Sequence, residues 1–264
     1  MRADPPAAAA AVRQAPTAIT FAIRSQARNR LAAILLVAFV PAWYLLMIAM
    51  TGNRPLTFRL FATGQTLTVN GGHLTLITAG LSALTMIVGF AVFHAVHTSL
   101  DFDRRLVSAG YRQTTLIVAK IAAIAVTAIA TAVYAGAVLL GFWRPSPAGW
   151  LAILAALAVI SLVYGSLGLL LGVLVRGDLE GFFLIIMTSL VDTFLQNPLG
   201  NPLANRPILA WFPSFGPMQF AVGRSLGHAD LWGHLALGLA WAAGLVAVGQ
   251  AIFFLRTRRP TCAA

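Results

Sequence analysis

Few residues in this chain have the type and spacing to do chemistry, and Asp192 has the strongest claim. It closes the apolar run LIIMTSLVDTF (184–194), with Gln196 and Asn197 four and five positions further on. An ionisable side chain inside an apolar span is costly and faces a cavity or a partner. Asp192, Gln196 and Asn197 are therefore candidates to line a transport path. If the span ends near Asp192, its charge is simply interfacial. Asp192 with a histidine such as His234 would suit an intramembrane enzyme. His94 and His97 share one face of a helix, but a metal centre needs further ligands and none lies nearby in sequence. They read as interfacial histidines, and no metal site is expected.

Other catalytic patterns are absent. Gly165-Ser166-Leu167-Gly168 lacks the spacing of a G-x-S-x-G nucleophile elbow. No H-E-x-x-H occurs, and the seven acidic residues are too dispersed for a paired-carboxylate site. The only lysine, Lys120, follows Ala119 rather than a glycine-rich loop. No G-x-x-x-x-G-K-[ST] is present, so the chain does not bind ATP in the P-loop manner. The single cysteine, Cys262, has no partner for a disulfide or a metal.

The elements that must position these residues are apolar runs. Of 264 residues, 59% are hydrophobic and only 9% charged, far below the quarter or so typical of soluble domains. Runs of spanning length fall at 31–50, 74–96, 115–141, 150–175, 182–197 and 232–255. The expected fold is an all-α integral membrane protein of six transmembrane helices, with five or seven as the main alternatives. Pro41 should kink the first span, which neighbouring helices can accommodate by resatisfying its backbone. Gly165, Gly168 and Gly172 in the fourth are spaced for close helix packing, within the subunit or between subunits.

Charge sets the orientation. With the N-terminus inside, thirteen basic residues (Arg2, Arg13, Arg24, Arg28, Arg30, Arg104, Arg105, Arg112, Lys120, Arg176, Arg256, Arg258 and Arg259) fall on the inner side. Five fall outside: Arg54, Arg59, Arg144, Arg206 and Arg224. That asymmetry places both termini in the cytoplasm of a cell-membrane protein. It also accounts for the net charge of +11 without nucleic acid, since the aromatic residues sit inside apolar runs. Residues 1–16 read as a disordered cytoplasmic tail, 17–258 as the membrane domain and 259–264 as a second tail. Within 17–30, Ile19, Ile23 and Ala27 share a weak apolar face, fitting either an interfacial helix or a plain basic flank.

The loops differ in information. Residues 51–73 read as turns, and 142–149 as a tight turn. The apolar stretch 198–231, broken by Pro198, Pro202, Pro207, Pro213 and Pro217, fits either re-entrant half-helices or a surface loop. The inner segment TSLDFDRRLVSAGYRQTT (98–115) predicts a short amphipathic helix between spans two and three. Asp101 and Asp103 suit its first turn, Asp101 and Arg105 are spaced for an ion pair, and Gly110 is placed to end it. Phe102, Leu106 and Ala109 form an apolar stripe on that helix, for a partner protein or for the membrane surface. Arg176-Gly177-Asp178-Leu179-Glu180-Gly181 reads as a solvated turn.

The six spans, the interfacial segment, the run Phe102-Asp103-Arg104-Arg105-Leu106-Val107-Ser108-Ala109-Gly110-Tyr111-Arg112 and the stretch Phe212-Pro213-Ser214-Phe215-Gly216-Pro217-Met218-Gln219 resemble the permease subunits of ABC type-2 transporters, in particular small permeases from high-GC bacteria. The resemblance covers nearly all of 17–258. It implies an exporter in which two permease subunits, identical or closely paralogous, pair around a substrate path. Separate ATPase subunits would carry ATP and Mg, so this chain would bind neither and would not itself be an enzyme. Asp101, Phe102, Asp103, Arg104, Arg105, Leu106, Ala109 and Gly110 would form the coupling helix that seats in the ATPase. The region after Asp192 would be the outer re-entrant segment, and 17–30 the connecting helix. An ion- or proton-coupled secondary transporter or channel is the main alternative.

Overall fold

In a computed structural model, residues 30–198, 201, 206–227 and 229–257 are described, with Pro16, Thr17, Thr20, Phe21, Ile23 and Arg24 before them. Of the tail expected at 1–16 all but Pro16, and the whole of 259–264, lie outside the described residues, as do Ile19, Ala27 and Arg28. Each apolar run appears as a helix. The first is α1 (Arg30–Ile34), a π-helical turn (Leu35–Phe39) and α2 (Val40–Thr51). Then follow α3 (Gly71–Ser108), α4 (Gln113–Leu140), α5 (Pro147–Leu174), α6 (Asp178–Gln196), α7 (Phe215–Leu226) and α8 (Trp232–Thr257). Four of these helices, α3, α4, α5 and α8, are long and apolar enough to cross a membrane. The apolar part of the first is shorter, Leu36–Thr51, and α6 carries Asp178, Glu180 and Asp192 among its 19 residues.

Two elements depart from the all-α expectation. Residues 51–73 are not simply turns: β1 (Pro55–Arg59) pairs antiparallel with β2 (Thr66–Asn70), with Thr57 opposite Thr68. The physical reason is a period-two alternation, Leu56 and Phe58 against Leu67 and Val69, that buries one face of the hairpin against the helices. The second departure concerns the short amphipathic helix expected at 101–110. It is not a separate element lying crosswise but the last turns of α3. Nothing between Val96 and Ser108 breaks the helix. The Thr98 and Ser99 hydroxyls donate to the carbonyls of His94 (2.7 Å) and Val96 (3.1 Å) and leave the backbone ladder intact. Asp101 and Asp103 therefore sit near the C-terminal end of a helix, not its first turn.

Side-chain pairs fix the helix directions. Trp43 Nε1 donates to Ser82 Oγ (3.1 Å) and Tyr44 lies against Gly80, so α2 runs antiparallel to α3. Along α3 and α5, Gly89 faces Tyr164 and Val96 faces Gly172, so those two run parallel. Gly165 faces Ile124 and Gly136 faces Leu154, so α4 is antiparallel to α5. Arg256 Nη2 reaches Leu174 O (3.2 Å), which brings the end of α8 to the end of α5. Arg30, Arg104, Arg105, Arg112, Lys120, Arg176 and Arg256 consequently gather at one end of the bundle. Arg54, Arg59, Arg144, Arg206 and Arg224 lie toward the other.

Helix α5 is the centre of the packing, and its small residues explain why. A Cβ on Gly168 would fall on the Gly89 carbonyl of α3, and one on Gly172 would stand 2.9 Å from Val96 Cβ. Gly165 meets Ile124 of α4 at 2.9 Å. The glycine series thus seats α5 against helices of its own chain. Around it lie two buried clusters. One is large, with Leu84, Ala135, Leu157 and Phe220; the smaller, with Val92, Leu116, Val173 and Phe253, is toward the arginine-rich end.

Pro41 shows how the fold treats a broken ladder. It has no N–H for the carbonyl four residues back, and Tyr134 Oη donates to that carbonyl, Val37 O, at 3.0 Å. Gly168→Ala should lower stability by about 2 kcal/mol, read as a drop in thermal midpoint in detergent. Gly244→Ala, where a Cβ meets open space, should instead raise it by about 0.5–1 kcal/mol. Equal effects at both positions would contradict the glycine seam.

Candidate functional site

Asp192 lies on the buried side of α6, 1% exposed. Its Oδ2 accepts from Tyr164 Oη of α5 at 2.7 Å and from the Ser214 backbone N–H at 3.0 Å. Its Oδ1 accepts from Ser214 Oγ at 2.6 Å. Ser214 is the residue that begins α7, so the carboxylate sits at the N-terminal end of that helix, where the backbone dipole favours negative charge. Three donors and a helix end offset the cost of burying the group. Asp192 thereby ties together α5, α6 and the start of α7.

The residues grouped with it have different surroundings. Gln196 is buried, and its Nε2 donates to Leu209 O at 2.9 Å. Asn197 caps the end of α6, its N–H donating to Phe194 O at 3.2 Å. Both brace the turn from α6 into the 3-10 segment Pro207–Trp211. His234 packs at 5.8 Å against the Phe215 ring, beside the Asp192 network but facing an aromatic surface. Of the other histidines, His94 stacks on Phe90 and His97 on Phe93, with His97 Nε2 3.4 Å from Asp178 of α6.

Helix α7, twelve residues long and almost wholly buried, stands in the place expected of a dipping or surface segment. Its start lies beside Asp192 and Tyr164, deep in the bundle. Its end lies at Gly149, in the first turn of α5, where a Cβ would stand 3.3 Å from Ser225.

The second polar constellation is at the arginine-rich end. Lys120 Nζ of α4 lies 2.7 Å from Asp103 Oδ2 and donates to Ser99 Oγ at 2.9 Å, both on α3. Ser99 Oγ also stands 3.2 Å from Asp103 Oδ2, which shares the one Ser99 O–H proton with Val96 O. The lysine and aspartate side chains are 12% and 8% exposed. Lys120 also lies 5.4 Å from the centre of the Phe253 ring of α8. This cluster joins three helices at one level.

Beyond it, α3 ends in a Schellman motif: Tyr111 N–H donates to Leu106 O (2.9 Å) and Gly110 N–H to Val107 O (3.1 Å). Gly110, at φ +98°, takes the left-handed position expected of a terminator. Asp101 pairs with Arg104 (3.1 Å) rather than with Arg105. The side facing the bundle carries Asp103 and Val107, and the Phe102, Leu106 and Ala109 stripe is not part of that buried side. Phe102 is 50% exposed and 6.3 Å from the Phe21 ring; Leu106 is half-buried; Arg105 and Ala109 are exposed.

Sequence reasoning did not single out Ser99, Lys120 or Tyr164 as partners. The usable signal was Lys120 itself, the lone lysine at the edge of an alanine-rich run, which needs an anion nearby. At both constellations the carboxylate is already held by its own partners. No protein-family model matches the chain, and no curated protein matches it. Lys120→Met should destabilise the protein by about 3 kcal/mol by stranding Asp103, while Lys120→Met with Asp103→Leu should recover most of that loss. Denaturation in detergent measures both; simple additivity of the two substitutions would contradict the buried pair.

Proposed function

We propose that the chain is a multi-pass subunit of a cell membrane and the permease of an ABC exporter, coupled to separate ATPase subunits. In this reading the bundle crosses six times, with its arginine-rich end and both termini in the cytoplasm. Five crossings are α1–α2, α3, α4, α5 and α8. The remaining one is α6, followed by a re-entrant segment whose inward tip meets Asp192 and whose returning limb is α7. A second permease subunit, identical or paralogous, would complete the path. ATP and Mg would belong to the ATPase.

The observation that carries the reading is the length of α3. Its 38 residues measure roughly 57 Å along the axis, against about 30 Å of bilayer hydrocarbon. The last two turns therefore stand clear of lipid on the basic side. They are held rigid by Asp103–Lys120 and the Schellman cap, with Phe102, Arg105 and Ala109 turned outward. A stiff, partly apolar projection on a chain without a P-loop is what a nucleotide-driven partner can push against. Full engagement of the Asp192 oxygens favours this reading over a transporter in which that carboxylate carries a proton or ion.

Phe102→Asp places a charge on the projecting face without touching Asp103 or Lys120. The variant should insert and fold as the parent does but lose co-purification of its ATPase by at least tenfold. Undiminished co-purification would overturn the docking role.

A further inference from the structure

A cavity of about 260 Å³ opens between α3 and α4 at the arginine-rich end. Toward the middle of the two helices its walls are apolar, formed by Val92 and Ala95 of α3 and Ala123 and Ile124 of α4. Polar side chains enter nearer the helix ends, where Ser99 and Asp103 of α3 meet Lys120 of α4. Phe102 lines the mouth, with the Phe21 ring 6.3 Å from it. Between Val92 and Leu106 the groove follows α3 for roughly 21 Å. So small a volume over that length has room for one extended chain, not two. In the membrane reading the apolar stretch stands level with lipid hydrocarbon and the polar stretch near the inner headgroups. A matching occupant is greasy at one end and polar at the other.

The lining selects the kind of head. Among the described residues, Asp103 and Lys120 are the only charged side chains that line the groove, and they neutralise each other at 2.7 Å. An anionic head would have to draw Lys120 from Asp103, and a cationic head would have to draw Asp103 from Lys120. Either exchange strands a largely buried charge, which is strongly unfavourable. An uncharged head has no such cost. The Lys120 ammonium has three N–H groups, and its contacts to Asp103 and Ser99 leave the third for a hydroxyl or ester oxygen. We infer that the groove between α3 and α4 binds an uncharged single-chain amphiphile of the monoacylglycerol type. Its acyl chain lies along Val92, Ala95, Ala123 and Ile124, and its glycerol hydroxyls meet the Ser99–Lys120–Asp103 cluster. The chain gains by covering apolar wall that protein atoms leave open. The inference rests on the membrane reading but not on the ATPase, so its test omits the partner; accessibility of the two ends to impermeant reagents tests the membrane reading separately.

Full-length chain in phosphatidylcholine nanodiscs is photolabelled with a diazirine-bearing monoacylglycerol. The competitors, of equal chain length, are a plain monoacylglycerol, an anionic lysophosphatidic acid and a cationic alkyltrimethylammonium. Labelling should map to α3 and α4, and the uncharged competitor should displace it at least tenfold more effectively than either charged one. Ala95→Phe, at a half-buried lining position, fills the apolar stretch and leaves Ser99, Asp103 and Lys120 in place. It should cut labelling at least tenfold with unchanged elution and helical content. The competition series is read on the parent alone, so it decides the head chemistry even if that variant fails to fold. Equal displacement by a charged competitor would overturn the assignment. Undiminished labelling of a folded Ala95→Phe, or labelling confined to other helices, would do the same. So would labelling that none of the three competitors displaces, which would make bilayer phospholipid the occupant.

Discussion

A backbone N–H or C=O shut away from water must find a partner inside the protein, and this chain is organised by the places where its helices stop or falter. Where Pro41 removes a donor, Tyr134 supplies a hydroxyl to Val37 O. Where α6 gives way to α7, the Ser214 N–H finds the Asp192 carboxylate. Where α3 ends, Gly110 and Tyr111 return their N–H groups to Val107 and Leu106. Each repair recruits a residue from another helix or a special backbone turn, so each interruption also becomes a joint. Asp192 is best understood in that way. A buried carboxylate would be costly alone, but with three donors it locks a short helix against the two beside it.

Contacts between uninterrupted helices follow a different rule. Lipid removes the apolar driving force between helices, so close approach and dispersion must hold them. The glycines of α5 provide that approach, bringing it against the α3 backbone at Gly89 and Phe93. At the arginine-rich end an ion pair adds to the packing. Asp103 and Lys120 join α3 to α4, and Phe253 adds α8 to the joint.

Much of this was legible in composition and spacing. Helix positions followed from apolar runs, because a 20-residue run has few ways to satisfy its backbone except as a helix. The terminator role of Gly110 and the need to resatisfy the backbone near Pro41 were also legible, since both rest on local backbone chemistry. What escaped is long-range pairing. The spacing assigns Asp103 to the first turn of a short helix, yet its partner is Lys120, seventeen residues on, in a largely buried pair. Asp192 showed that it needed a partner but not that Ser214, beyond a proline-broken stretch, would supply two donors. The hairpin at 55–70 was hidden by its glycines and its shortness, although Leu56, Phe58, Leu67 and Val69 alternate. The continuity of α3 through 101–108 was masked by the charges of that segment, which look like a boundary but lie on the last turns of a 38-residue helix.

The whole account depends on a bundle whose two ends face opposite sides of a membrane, with the projecting end of α3 on the basic side. Single cysteines at Ser108, beyond the Asp103–Lys120 joint, and at Thr63, between β1 and β2, can be placed in a Cys262→Ser background. In intact cells, a membrane-impermeant maleimide should label Thr63→Cys directly and Ser108→Cys only after permeabilisation. Labelling of both from the same side would contradict the arrangement and the docking role built on it.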